Sequence, residues 1–284
     1  NAEGEITQQW HLNGAITNAD AQDRWMLTTP VSYPADGTAM NTLRKSAANI
    51  RLGEYIADAT AESIARYGLD TPRLVIRLHQ AAGTIGAVGT TGSYATTDYP
   101  EATITLVIGE QESDLVDYVL YDGGIYRCST LLLRGVMNAD WQETITRYPV
   151  LTALGNLASL SRETADGVDT WVITRTEQVA ENNELVTDDE GNQVYDITLT
   201  KNGESADYTA FSAAYNQLMM VTMSGRLPDG WTAADAPHTV WTFTDVDGTV
   251  HTVALTRYDA MHDAVAIDGV ALFYLIQGGF SLGI

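Results

Sequence analysis

Apolar and polar positions along the chain alternate in short runs, and that pattern predicts mostly strand. Leu74-Val75-Ile76-Arg77-Leu78 and Ile104-Thr105-Leu106-Val107-Ile108 are bounded by turn residues and read as two strands of one sheet. Tyr118-Val119-Leu120-Tyr121 and Ile125-Tyr126-Arg127-Cys128 flank Asp122-Gly123-Gly124, a tight-turn sequence that tolerates positive φ and so predicts a hairpin. A further strand, Ile6 to Ile16, turns at Asn18-Ala19-Asp20, returns through Trp25–Thr28 and ends at Pro30 and Pro34. Helical spacing is rarer. Met40, Leu43, Ala47, Ile50 and Leu52 predict one helix, entered at Ala35-Asp36 and running to Gly53. Ile56, Ala59, Ile64 and Ala65 predict a short second one. Tyr208 to Met223 predicts a third, with Phe211, Tyr215, Leu218, Met219 and Thr222 on one face. Thr84 to Glu101, with Gly86, Gly89 and Gly92, is expected to be a long loop rather than a helix.

The pattern occurs twice. Asp70, Pro72, Val75 and Gly83 recur 165 positions later as Asp235, Pro237, Val240 and Gly248. Asp117, Val119, Asp122 and Gly123 recur at an offset of 146 as Asp263, Val265, Asp268 and Gly269. The same offset pairs Asp23, Trp25 and Thr28 with Asp169, Trp171 and Thr174. Ala35-Asp36-x-Thr38-Ala39 returns as Ala206-Asp207-x-Thr209-Ala210. Four blocks in one order predict an internal duplication: a first lobe over 1–137, then a connector and second lobe over 138–284. Two departures stand out, the 84–101 segment of the first lobe and an insertion at 177–203 of the second. The connector, Ala139 to Leu160, is too apolar to stay solvated and is expected to pack.

Charge and cysteine content narrow the function. A formal charge of −22 with only two lysines, Lys45 and Lys201, lacks the basic face that phosphate recognition needs, which argues against nucleic acid and against docking on an anionic leaflet. One cysteine, Cys128, excludes an internal disulfide framework, and its place beside Leu131-Leu132-Leu133 predicts a buried, inert thiol. No apolar run reaches the roughly 18 residues of a membrane-spanning helix. The chain opens at Asn1 rather than methionine, which raises the expectation that a targeting or anchoring segment has been trimmed.

Candidate chemistry is sparse. His238 lies three residues after Asp235, yet its counterpart in the first lobe is Arg73, and Asp235 reads as a turn acceptor before proline. His11, His79, His251 and His262 lack zinc-ligand spacing. Asp245-Val246-Asp247-Gly248 and Asp188-Asp189-Glu190-Gly191-Asn192 resemble calcium loops but complete none, so turn chemistry explains them. No catalytic, cofactor-binding or metal-binding residue is assigned. Tyr94, Tyr99 and Trp231 are the candidates for contact with a partner, because aromatic side chains offer large contact area at low entropic cost.

Trp25 with Thr28-Thr29-Pro30, Pro34-Ala35-Asp36, an amphipathic helix, Tyr67-Gly68-Leu69-Asp70-Thr71-Pro72, a strand, Ile108-Gly109, and Tyr118-Val119 with Asp122-Gly123 and Ile125-Tyr126 together resemble the bacterial family of the domain of unknown function DUF4340. The resemblance implies a membrane-anchored protein facing out of the cytoplasm, in some members encoded beside ABC-transporter or gliding-motility components. It carries over no catalytic residue.

The expected fold is α+β, two duplicated lobes each built on a mostly antiparallel sheet with one or two packed helices. The expected function is that of a non-enzymatic extracytoplasmic binding or accessory protein in a cell-envelope complex, without cofactor. The alternative is a hydrolase of envelope or gut polysaccharide using paired carboxylates.

Overall fold

A computed structural model describes residues 8–12, 25–88, 94–180, 185–188 and 193–284, with the side chains of 85–95 outside the description. The expected turn at Asn18-Ala19-Asp20 and most of the acidic turn at 188–192 lie outside the described residues. The fold is mixed α+β, with several antiparallel sheets and few helices. Contacts divide the chain into two compact units. The first comprises Asn1–Trp10, Leu27–Pro30 and Thr38–Thr144, the second His11–Met26, Val31–Gly37 and Ile145–Ile284.

Three amino-terminal strands, β1 (Gln9–Leu12), β2 (Trp25–Thr29) and β3 (Tyr33–Pro34), form a small sheet. Helix α1 (Gly37–Ala48) stops short of Ile50 and Leu52, because the chain from Leu52 joins a sheet as β4 (Leu52–Asp58). The end of the first expected helix, Leu52, and the start of the second, Ile56, therefore belong to a strand, and Ile50 lies between α1 and β4. β4 is held by pairing with Gly124–Cys128, and Gly53 suits the close approach there, since a Cβ would stand a tight 3.0 Å from the Arg127 carbonyl oxygen. Helix α2 (Ala61–Arg66) begins at a capping box, in which the Thr60 hydroxyl accepts from the Ser63 N–H while the Ser63 hydroxyl accepts from the Thr60 N–H.

The remaining strands of this unit are β5 (Leu74–Gln80), β6 (Gly83–Val88), β7 (Tyr94–Tyr99), β8 (Ala102–Ser113), β9 (Val116–Tyr121) and β10 (Gly124–Ser129). They give a five-stranded antiparallel sheet of order β4-β10-β9-β8-β5, with β6 and β7 paired separately. Most of the expected loop at 84–101 is thus a paired antiparallel ribbon, β6 with β7: β-formers Thr84, Ile85, Tyr94, Thr96 and Thr97 lie in the two strands, and pairing outweighs Gly86. Helices α3 (Thr130–Met137) and α4 (Trp141–Thr144) close the unit. Ile76, Leu106, Ile108, Val119, Cys128 and Leu133 form its core.

The second unit runs β11 (Leu157–Thr164), β12 (Gly167–Glu177), β13 (Tyr195–Lys201), β14 (Glu204–Ala206), α5 (Tyr208–Met219), β15 (Gly225–Arg226), β16 (Thr239–Asp245), β17 (Val250–Arg257), β18 (His262–Ile267) and β19 (Val270–Ile276). Nine strands form one sheet of order β14-β13-β12-β11-β16-β17-β18-β19-β15. Asp207 caps α5 by accepting from the Thr209 and Ala210 N–H groups, and the helix buries Phe211, Tyr215 and Leu218. Its C-terminus falls at Met219, so Thr222 is outside it. Trp171 lies 6.3 Å from Phe211, and Phe243 lies 6.3 Å from Tyr215, centroid to centroid. Tyr215 also donates to the Thr152 carbonyl oxygen at 2.9 Å.

Candidate functional site

Four strands in each unit follow the same order, and their central pairs share one register, although bulges shift the pairing differently toward the strand ends. Val75 pairs with Val107 and Val107 with Leu120; in the other unit Val240 pairs with Ala254 and Ala254 with Ala266. Leu120 faces Ile125, as Ala266 faces Ala271. Arg73 donates its N–H to the Ile108 carbonyl at 2.9 Å, and His238 donates to Leu255 at the same length. The hairpin turns match as well, Asp122-Gly123 at φ 45° and 75° and Asp268-Gly269 at φ 49° and 84°. Such values suit a two-residue primed turn.

One face of each meander packs into its core; side chains alternate, so Val107, Tyr118, Leu120 and Ile125 share the opposite face. In the first unit that face is covered by the segment after α2. The Tyr67 ring sits 4.4 Å from the Tyr118 ring, Leu69 is buried, and Ile125 is 0% exposed. Gly109 makes room for the crossing, since a Cβ there would stand 2.3 Å from the Tyr67 carbonyl oxygen and 2.9 Å from Leu69 Cδ2.

The second unit differs at each of these positions. Ala254, Ala264, Ala266 and Ala271 stand where the first unit has Val107, Tyr118, Leu120 and Ile125, and Thr256 stands in place of Gly109. The segment between β15 and β16 contains no helix. The result is an open recess of about 380 Å³, floored by the alanines and Thr256 and walled by Trp231, Thr232, Ala233 and Pro237. Beside it runs an aromatic series: Trp231 meets Tyr258 edge-on at 6.0 Å, Tyr258 stacks on Tyr274 at 5.3 Å, and His262 meets Tyr274 at 4.8 Å. Exposed Met261 and Ile276 continue this apolar surface. The turn beneath is locked by Asp259, whose carboxyl is held below its usual range by hydrogen bonds from the Met261 N–H and the His262 ring.

A buried carboxylate lies at one matched position on the core side. Asp117 is 0% exposed and pairs with Arg73. Asp263 is 2% exposed, with His238 Nε2 at 3.2 Å and Arg257 at 3.1 Å. His238 thus stands beside Asp263 and not in a pair with Asp235. Among the described residues, no three His, Cys, Asp or Glu side chains converge to hold a metal. Asp247 is engaged in its own turn, where the Thr249 N–H donates to it at 2.8 Å. No helix among the described residues is long and apolar enough to cross a membrane.

Of the sequence candidates, Trp231 is placed in the recess wall. Tyr99 is half-buried at the end of the β6–β7 ribbon, with its hydroxyl over Gly83. Tyr94 opens β7, and its side chain is outside the described residues. The alanine floor went unread, although the offset of 146 that pairs the hairpins also pairs Tyr118 with Ala264, Leu120 with Ala266 and Ile125 with Ala271.

Fold and recess together describe an antiparallel α+β protein with one meander covered on both faces and another that carries a recess on one. The model of the family described as "Domain of unknown function (DUF4340)" matches residues 25–239, well over half of the chain, and the protein belongs to that family. No curated protein and no solved structure matches the chain.

Proposed function

We propose that this is a non-enzymatic extracytoplasmic binding or accessory protein of a membrane-associated envelope complex, an ABC-transporter assembly being one such setting, and that it meets its ligand at the alanine-floored recess. The observation that carries the reading is the chemistry of the lining: alkyl groups, hydroxyls and one indole, none of which titrates near neutrality. Such a surface suits holding a ligand; proton transfer needs an acid or base within reach. We further propose that the units descend from one duplicated lobe, a reading supported by the matched register, turns and buried carboxylates. The test is affinity capture from solubilised native membranes with the full-length protein as bait. Capture of a defined envelope partner by wild type, lost in Ala266→Leu/Ala271→Ile, is expected. Hydrolysis of envelope or gut polysaccharide by the purified protein would instead favour a hydrolase.

A further inference from the structure

The two units treat the same sheet face differently, and the difference points to what covers the open one. In the first unit the outward face carries four larger side chains, Val107, Tyr118, Leu120 and Ile125, and the chain after α2 crosses it with Tyr67 on Tyr118 and Tyr67 and Leu69 over Gly109. In the second, alanines have withdrawn the floor, and Thr256 carries the Cβ that Gly109 lacks. A cover could not approach the sheet there as closely as Tyr67 and Leu69 do at Gly109; Ala264 and Thr256 are buried at the edge of the recess, while Ala254, Ala266 and Ala271 stay partly exposed within it.

The recess is also open along its length. The same sheet face continues past it through Tyr274, opposite Ala264, to Ile276, which pairs with His262 on the adjoining strand. Small-molecule sites enclose most of their ligand's surface. An open apolar track over successive strands suits a chain segment that lays down several side chains in series. The segment that supplies its wall, Pro228 to Pro237, also carries Asp229 and Asp235 and no lysine or arginine, within a chain of formal charge −22. Asp229 meets Arg226 at 3.2 Å yet keeps 91% of its side chain exposed.

We infer that the recess takes a short, basic, amphipathic segment of a protein partner, laid across β17, β18 and β19 as the α2-to-Leu69 segment is laid across the first unit's sheet. Aliphatic side chains of the segment fill the space above Ala254, Ala266 and Ala271, an aromatic or long aliphatic one packs on Trp231, and its basic groups face Asp229 and Asp235. This rests on the recess being the binding surface, and it names the occupant.

The first unit supplies the probe. An acetylated, amidated peptide of residues 60–71 carrying E62K and D70K is titrated into the whole chain labelled at its alanine methyls, with the unaltered 60–71 peptide and chitohexaose in parallel. Expected are saturable shifts of the Ala254, Ala264, Ala266 and Ala271 methyl signals, stronger for the basic peptide and weakened by salt. Filling the floor with the first unit's residues, Ala266→Leu/Ala271→Ile, should lower affinity about tenfold or more, the scale of a central contact. Trp231→Ala, which removes a wall and fills nothing, provides the same test if the filled variant does not fold. No shift with either peptide, or equal affinity in a folded filled variant, overturns the inference. Shifts with chitohexaose alone overturn it while leaving the recess a ligand site. Silence from all three probes, together with unchanged membrane capture by the filled variant, overturns both readings.

Discussion

The first unit closes its meander on both faces; the second concentrates its burial on one. Its core face carries Trp171, Phe211, Tyr215, Trp241, Phe243 and Phe273, all nearly or fully buried, where the first unit relies on aliphatic side chains and Cys128. Aromatic side chains bury large area each, so the second unit holds its sheet from one side and can leave the other face thinly covered. One hairpin skeleton thus supports either a sealed sheet or a binding surface, and the choice lies in four outward-facing side chains and one glycine.

The sharpest way to break that comparison is to exchange floor residues. Ile125→Ala should cost about 3–4 kcal/mol, because a fully buried branched side chain leaves a cavity under a fixed cover. Ala271→Ile should change stability by about 1 kcal/mol or less, its extra atoms entering open space. Urea denaturation of each variant decides; equal losses would mean that the second face is not open in solution.

The buried carboxylates give the next largest contrast. Arg73→Ala leaves Asp117 enclosed without its guanidinium partner and should cost about 3 kcal/mol, whereas His238→Ala should cost about 1 kcal/mol because Arg257 still stands at 3.1 Å from Asp263. Comparable losses would show that Arg257 does not stand in for His238 and that the two carboxylates depend equally on one partner each.

The matched turns should respond alike. Gly123→Ala and Gly269→Ala each force a Cβ onto positive φ, and each should cost about 1 kcal/mol by the same denaturation assay. A difference approaching the whole effect would separate the two hairpins.

Smallest is a pH effect confined to the second unit. Burial pushes the Asp268 carboxyl up, but hydrogen bonds from His251 and from the Thr252 N–H outweigh it and hold the group below its ordinary range. A carboxyl depressed in the folded state stabilises above its unfolded pKa, and that contribution is lost as pH falls through the folded value. Stability measured from neutrality down to acid should therefore decline less steeply in Asp268→Asn than in wild type. Identical profiles would remove the carboxylate from the account.

Much of the architecture was legible because it rests on local chemistry. Asp122-Gly123 and Asp268-Gly269 announce positive-φ turns, and Phe211, Tyr215 and Leu218 sit at helical spacing and are buried together. Errors arose where pairing overrode local pattern. Leu52 and Ile56 fit a helical stripe but join β4 through β10, and the glycine-rich 84–101 segment pairs with itself. Of the site, Trp231 could be proposed from its chemistry alone. The floor could not, since an alanine on a strand carries no signal of its own; it becomes informative only beside Val107, Leu120 and Ile125.

Cys128 gives the molecule a clock. It is the chain's single thiol, buried in the core of the first unit, and burial pushes the thiol pKa up, so it resists alkylation while that core is shut. Its labelling rate therefore times the opening of the first unit alone, without an introduced probe. Run with and without the basic peptide, that clock measures whether occupancy of a surface in the second unit is felt by the breathing of the first.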